Sequence, residues 1–131
     1  MSPGSSRYFT LDEANEALDA IRPLMDEIQK IRERILSQRS DLWPAVERSA
    51  GNGGSPALSR QLESFDRLDL LMHKIQDAGV ILKDLNMGLV DFPCLRGHEE
   101  VYLCWKHGET SVQFWHEVEA GFQGRHPIAD F

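Results

Sequence analysis

Positive charge is scarce in this sequence: Lys and Arg together number 14 against 21 Asp and Glu, which leaves a formal net charge of −7. The deficit is shared by both parts of the chain, with 11 basic and 14 acidic side chains up to Met87 and 3 and 7 from Gly88 onward. A phosphate backbone is bound through a cationic stripe, and none is present, so nucleic acid is not an expected partner. Long apolar runs are also missing. No stretch approaches the ~20 residues that a membrane span needs, so no membrane partner is expected either. Residues 1–7 have neither the charged start nor the apolar centre of a secretion signal, and the expected compartment is the cytoplasm. Cysteine is confined to Cys94 and Cys104, which in a reducing compartment are expected to be free thiols. No glycine-rich phosphate loop follows a strand pattern and no catalytic triad is visible. Neither cysteine stands beside a helix start or a basic cluster that marks a nucleophile, so no catalytic residue is assigned.

The chemically versatile residues sit at one end. Four of the five histidines, both cysteines and two of the three tryptophans lie from Gly88 onward. The preceding 87 residues carry mostly a charged helical pattern. Thr10-Leu11-Asp12-Glu13 is a capping box, in which the Thr10 hydroxyl and the Glu13 carboxylate satisfy each other's backbone amides. Apolar positions at Leu11, Ala14, Leu18, Ile21, Met25, Ile28 and Ile35 then alternate by three and four, with Arg32 replacing one member. Pro23 predicts a kink, and Trp43-Pro44 predicts a break near Ser40. The segment 51–56, Gly-Asn-Gly-Gly-Ser-Pro, is a loop. A second helix is expected over 57–84 through Leu58, Leu62, Phe65, Leu68, Met72, Ile75 and Leu82, with one slip of phase.

Both apolar stripes are wider than one seam requires, because Leu24, Ile31, Leu71 and Ala78 flank them. Two helices alone cannot cover such faces, so a partner surface is implied: the C-terminal segment, a second copy of the chain, or both. After Asn86-Met87-Gly88 the period becomes twofold. Segments 89–92, 100–105 and 112–115 read as three short strands of an antiparallel meander. In the middle one Val101, Leu103 and Trp105 share a face opposite to Tyr102 and Cys104.

Four side-chain groupings suggest chemistry. Cys94, His98, Cys104 and His107 form a Cys-x3-His and Cys-x2-His set of zinc-ligand types, although Cys104 falls inside a strand, where a zinc knuckle would need a tight turn. Asp91, Glu109, His116 and Glu119 combine an imidazole with carboxylates, as a metal or an acid-oriented general base requires. Asp69, His73 and Asp77 recur every four residues on one helical face; a solvated acidic stripe accounts for them, since the first helix offers no matching histidine. Arg125, between Gly124 and His126, suits either an anion clamp or an ion pair with Glu109 or Glu119. Trp105, Trp115 and His116, bordered by Asp91, Glu109 and Arg125, are expected to line one surface; the ordinary alternative places both indoles in the core.

The order of the rarer residues carries a resemblance. Phe9-Thr10-Leu11, Glu13-Ala14-Asn15, Gly79-Val80, Leu82-Lys83-Asp84, Gly88-Leu89-Val90-Asp91-Phe92-Pro93, Leu103-Cys104-Trp105, Gly108-Glu109, Phe114-Trp115-His116, Gly121-Phe122 and Gly124-Arg125 together resemble the bacterial domain-of-unknown-function family 2203. The resemblance covers nearly the whole chain. It implies a small cytoplasmic bacterial protein without an assigned activity. It also directs interest to Asp91, Cys104, Trp105, Glu109, Trp115, His116 and Arg125, and away from Cys94, His98 and His107.

The expected fold is therefore α+β within a single domain over 1–131: a disordered leader at 1–6, a long antiparallel two-helix hairpin at 10–85, and a small three-stranded antiparallel sheet with a short tail at 88–131. The leading functional expectation is a non-enzymatic, self-associating interaction module, a homodimer through its helices. The alternative is a metal- or small-ligand-binding protein, conceivably an enzyme, with a site around Asp91, Glu109 and His116. Trp105, Trp115 and Arg125 complete the candidate ligand-binding set. The sequence specifies no cofactor.

Overall fold

The computed structural model describes residues 7–38, 40–50 and 63–131. The expected leader, the glycine-rich loop, Leu58 and Leu62 fall outside the described residues. Helix α1 spans Leu11–Gln38. Its capping box is formed as the sequence demands, with the Glu13 amide donating to the Thr10 hydroxyl at 3.1 Å and the Thr10 amide donating to Glu13 at 2.9 Å. Pro23 lies inside the continuous helix. The buried stripe is Ala14, Leu18, Ile21, Met25, Ile28, Ile31 and Ile35. A helical turn at Ser40–Leu42 and helix α2, Trp43–Ala50, follow. Pro44 is tolerated there because the first turn of a helix has no intrahelical use for its amide. Trp43 donates its indole N–H to Asn86 Oδ1 at 2.7 Å, and Arg32 donates to the same oxygen at 3.0 Å. This polar knot, closed by a hydrogen bond from the Asn86 amide to Glu47, docks α2 beside the sheet.

Helix α3 spans Glu63–Asp77 and does not reach Asp84 as expected. Gly79 adopts a φ of +88°, a left-handed conformation that closes a helix and that only glycine adopts without strain. β-branched Val80 and Ile81 follow, and Ile81–Asp84 is strand β1. Leu82, seven residues after Ile75 and so in phase with the helical stripe, belongs to a strand nonetheless. The helical part is three helices among the described residues, not a two-helix hairpin.

The sheet has five antiparallel strands in sequence order, where three were expected. The first two expected segments lie within β2, Leu89–Arg96, and β3, Glu99–Lys106, while the third overlaps β4, Phe114–Glu117, only at Phe114 and Trp115. Strand β1 and the two-residue β5, His126–Pro127, flank them. β2 runs through Pro93 because β1 pairs only as far as Asp91, so Pro93 lies on a local edge where its missing amide leaves no gap. Its carbonyl accepts from the Phe9 amide at 2.7 Å. A turn at Gly97-His98 then sets the β2–β3 register, Arg96 opposite Glu99 and Asp91 opposite Cys104.

One sheet face lies against the helices. Val90, Phe92, Cys94, Val101, Leu103, Trp105 and Trp115 join the helical stripes in one core. Ile31 and Leu71, which flanked the expected seams, are buried in that core within a single chain. Of the other two flanking residues, Leu24 is partly buried and Ala78 is exposed. Phe92 is wholly buried with its ring 5.3 Å from that of Phe9 in an edge-to-face arrangement. Replacing it with alanine is expected to lower the unfolding free energy by ~3–5 kcal/mol in chemical denaturation, while Leu70→Ala on the exposed side of α3 should stay within about 0.5 kcal/mol.

Candidate functional site

The face of the sheet turned away from the helices carries the polar groups. Strand alternation places Asp91 and Cys104 side by side on this face, and puts His116 there opposite Tyr102. The imidazole reaches diagonally from β4 to β2, past the small side chain of Cys104. Its Nε2 lies 3.1 Å from Asp91 Oδ1, and its Nδ1 lies 2.7 Å from the carbonyl oxygen of Glu117. A carbonyl oxygen faces one ring nitrogen and a carboxylate the other, an environment that favours the doubly protonated ring. Asp91 is 0% exposed, His116 1% and Cys104 1%. A polar group so placed needs its full set of partners, yet Asp91 Oδ2 has none. Carboxylate oxygen, thiol sulfur and ring nitrogen of these three residues all lie within 4.8 Å of one another.

The electrostatics follow from this packing. The hydrogen bond to Asp91 is the main cause that pushes the His116 ring up to about 10, with the Cys104 side chain adding to it and burial opposing. Tyr102, whose ring meets His116 edge-on at 5.5 Å, is pushed up by burial first and then by Glu100 and Asp91. Burial alone raises the Cys94 thiol.

A second cluster adjoins the first. Arg125 donates two hydrogen bonds to Glu109, at 2.7 and 2.8 Å, and a longer one of 3.3 Å to the Cys104 carbonyl. Its guanidinium stacks 4.0 Å from the Phe114 ring centre and 4.8 Å from that of Phe122. Glu109 also accepts from the Lys106 amide at 2.8 Å. Arg125 thus makes the ion pair with Glu109 that its setting allowed.

The expected groupings are redistributed. Cys94 and Cys104 are free thiols on opposite faces of the sheet. His98 is exposed in the β2–β3 turn, and His107 contacts Asp26 at 2.7 Å. The Cys94, His98, Cys104 and His107 zinc set therefore does not converge. Within the second grouping Asp91 meets His116, whereas Glu109 is held by Arg125 and Glu119 is exposed. On α3, His73 is exposed and its Nδ1 lies 2.8 Å from the Asp69 backbone oxygen. Trp105 and Trp115 lie on the helical face, so they do not share a surface with His116. Trp105 donates to the Glu109 carbonyl at 2.9 Å, and Trp115 stacks with His126 at 4.6 Å and under Arg96 at 4.6 Å.

The association of Cys104 with Asp91 and His116 was not read from the sequence. A two-residue turn at Gly97-His98 would have shown it, since pairing Arg96 with Glu99 makes Asp91 face Cys104 five rungs further on. Tyr102 was noted only for its face.

Long α1 packed on a small antiparallel sheet, with an Asp–Cys–His cluster on the far side, defines an α+β protein whose polar centre is remote from its helices. A family model described as "Uncharacterized conserved protein (DUF2203)" matches residues 7–128, and the chain belongs to that family. No match was found among curated proteins or among solved structures.

A pH dependence of stability follows. An imidazole whose folded value of about 10 exceeds its ordinary 6.5 stabilises the fold fully below pH 6.5 and loses that contribution as pH rises toward 10. Chelator-treated protein should therefore lose unfolding free energy between pH 7 and pH 10. The same denaturation series on His116→Gln should show a distinctly shallower decline over this window.

Proposed function

We propose that this protein binds a first-row divalent metal ion of the zinc class through Asp91, Cys104 and His116. The observation that carries the reading is the second carboxylate oxygen of Asp91, buried and unpartnered beside a thiol and an imidazole. Leaving such an oxygen unsatisfied is costly, and a cation among these donors would remove the cost. The donor set argues for the ion. Magnesium and calcium prefer oxygen ligands throughout, whereas one sulfur, one nitrogen and one oxygen suit zinc, cobalt or their neighbours. The hydrogen bond from His116 Nδ1 to the Glu117 carbonyl supports the same reading, because metal-bound histidines are commonly oriented in this way through the other nitrogen. Donors around a tetrahedral ion at 2.0–2.3 Å stand about 3.5 Å apart, so the present spread of at most 4.8 Å contracts on binding. Three protein ligands leave a fourth position for water or an exogenous ligand.

Self-association through the helices has less in its favour. It rests on the apolar width of the stripes, of which Ile31 and Leu71 are buried within the chain, while Leu24 is partly buried and Ala78 exposed.

Titrating chelator-treated protein with Co2+ should give one equivalent of binding and a thiolate-to-metal absorption band. Cys104→Ser, nearly the same size, should lose the band. Zn2+ at a hundred times its dissociation constant should raise the wild-type unfolding free energy by ~2.7 kcal/mol and leave His116→Gln unchanged. Absence of a stoichiometric ion at micromolar concentration would sink the proposal.

A further inference from the structure

Resting on that metal-binding reading, we propose that residues 121–127 form a strap whose opening admits the ion, with the Arg125–Glu109 pair as its latch. The three donor residues are at most 1% exposed, so an ion reaches them only when something moves. The sheet itself and the helical core close one side, which leaves the outer face as the route. Among the described residues, Ile81, level with Asp91 on the neighbouring strand, Tyr102 and Arg125 stand beside the donors on that face. On one side is the Tyr102 ring, edge-on to His116. On the other is Arg125, bonded to the Cys104 carbonyl and stacked on Phe114 and Phe122.

These covers differ in how they are held. Tyr102 sits in mid-strand, paired with Pro93 on one side and His116 on the other, so its backbone is fixed by the sheet. The strap is joined to β4 through two residue pairs, Phe114 with Pro127 and Trp115 with His126. It begins at Gly121, whose φ of +74° marks a sharp change of direction. Between these ends the Arg125 guanidinium makes the strongest tie, two charge-assisted bonds to a carboxylate on the β3–β4 loop. Its side chain is 11% exposed and that of Glu109 20%, so water screens this pair little. Breaking the pair would leave β5, the exposed His126–Glu117 contact at 3.1 Å and the aromatic stacking to hold the segment.

Stopped-flow mixing with Co2+, followed through the thiolate-to-metal band, tests the idea. In the wild type the loading rate should level off as Co2+ rises, because opening limits it. Arg125→Lys, which keeps the charge but loses the two-pronged fit, and Glu109→Gln should each raise the plateau rate at least tenfold. Near-ultraviolet circular dichroism checks that both variants keep the fold, and the final absorbance counts the sites in each. Unchanged rates in both variants would overturn the strap, as would acceleration by Tyr102→Leu alone. Loss of the site in Glu109→Gln would overturn it too, since Glu109 would then belong to the donor set. If the wild type takes up no ion, the metal reading itself falls and the strap with it; uptake with unaltered rates removes the strap alone.

Discussion

The register between β2 and β3 is the constraint on which everything else depends. The turn at Gly97-His98 fixes it, and with it the face on which every side chain of the sheet emerges. Val90, Phe92 and Cys94 are turned to the helices together with Val101, Leu103 and Trp105, while Asp91 and Cys104 are turned away. A slip of one residue would drive a carboxylate into the helical core and expose Phe92. The apolar alternation therefore stabilises the one pairing that also brings Asp91 next to Cys104. Core and candidate site are two consequences of one pattern.

Burying Asp91 and His116 outside the main core is physically demanding. An isolated charge in such a place would be neutralised, and the ring escapes this only through a carboxylate on one nitrogen and a carbonyl on the other. The arrangement is possible because Cys104 is short. A bulkier side chain at that point of β3 would stand between β4 and β2 and block the imidazole from crossing. The cysteine thus has a steric role beside its chemical one. Hydrophobic residues of similar volume could hold these strands at least as well, which makes the retained polar set with an unsatisfied oxygen more telling than its contribution to stability.

Much of the fold was legible in the residues. Periodicity located α1 with its cap, the core stripe of β3 and the three central strands, since each pattern persists over enough residues to be distinctive. What escaped was short or set by tertiary contact. β1 is a four-residue strand hidden at the end of a helical pattern, and only Gly79 signalled the change. β5 has two residues and exists because β4 offers it an edge. Pro93 suggested a loop, and the strand continues through it because the edge there pairs with Phe9 and not with another strand amide. The candidate site was legible as a set of residues but not as a constellation. Asp91 and His116, which share a grouping in the sequence, are in contact, while Cys104 falls there with Cys94, which points the other way.

Glu109 ties the two faces together. Its backbone carbonyl receives the indole N–H of Trp105, which is buried against the helices, while its carboxylate holds Arg125 above Cys104 on the opposite side. The loop carrying it turns at Gly108, with a φ of +103°, and the same carboxylate binds the Lys106 amide, so its direction is set by backbone and not by rotamer alone. Position 105 therefore fills the core and also anchors the residue that anchors the tail. That linkage joins residues as dissimilar as Trp105, Glu109 and Arg125, of which Arg125 is bonded to the Cys104 carbonyl. Together they tie the β3–β4 loop to both the core and the tail.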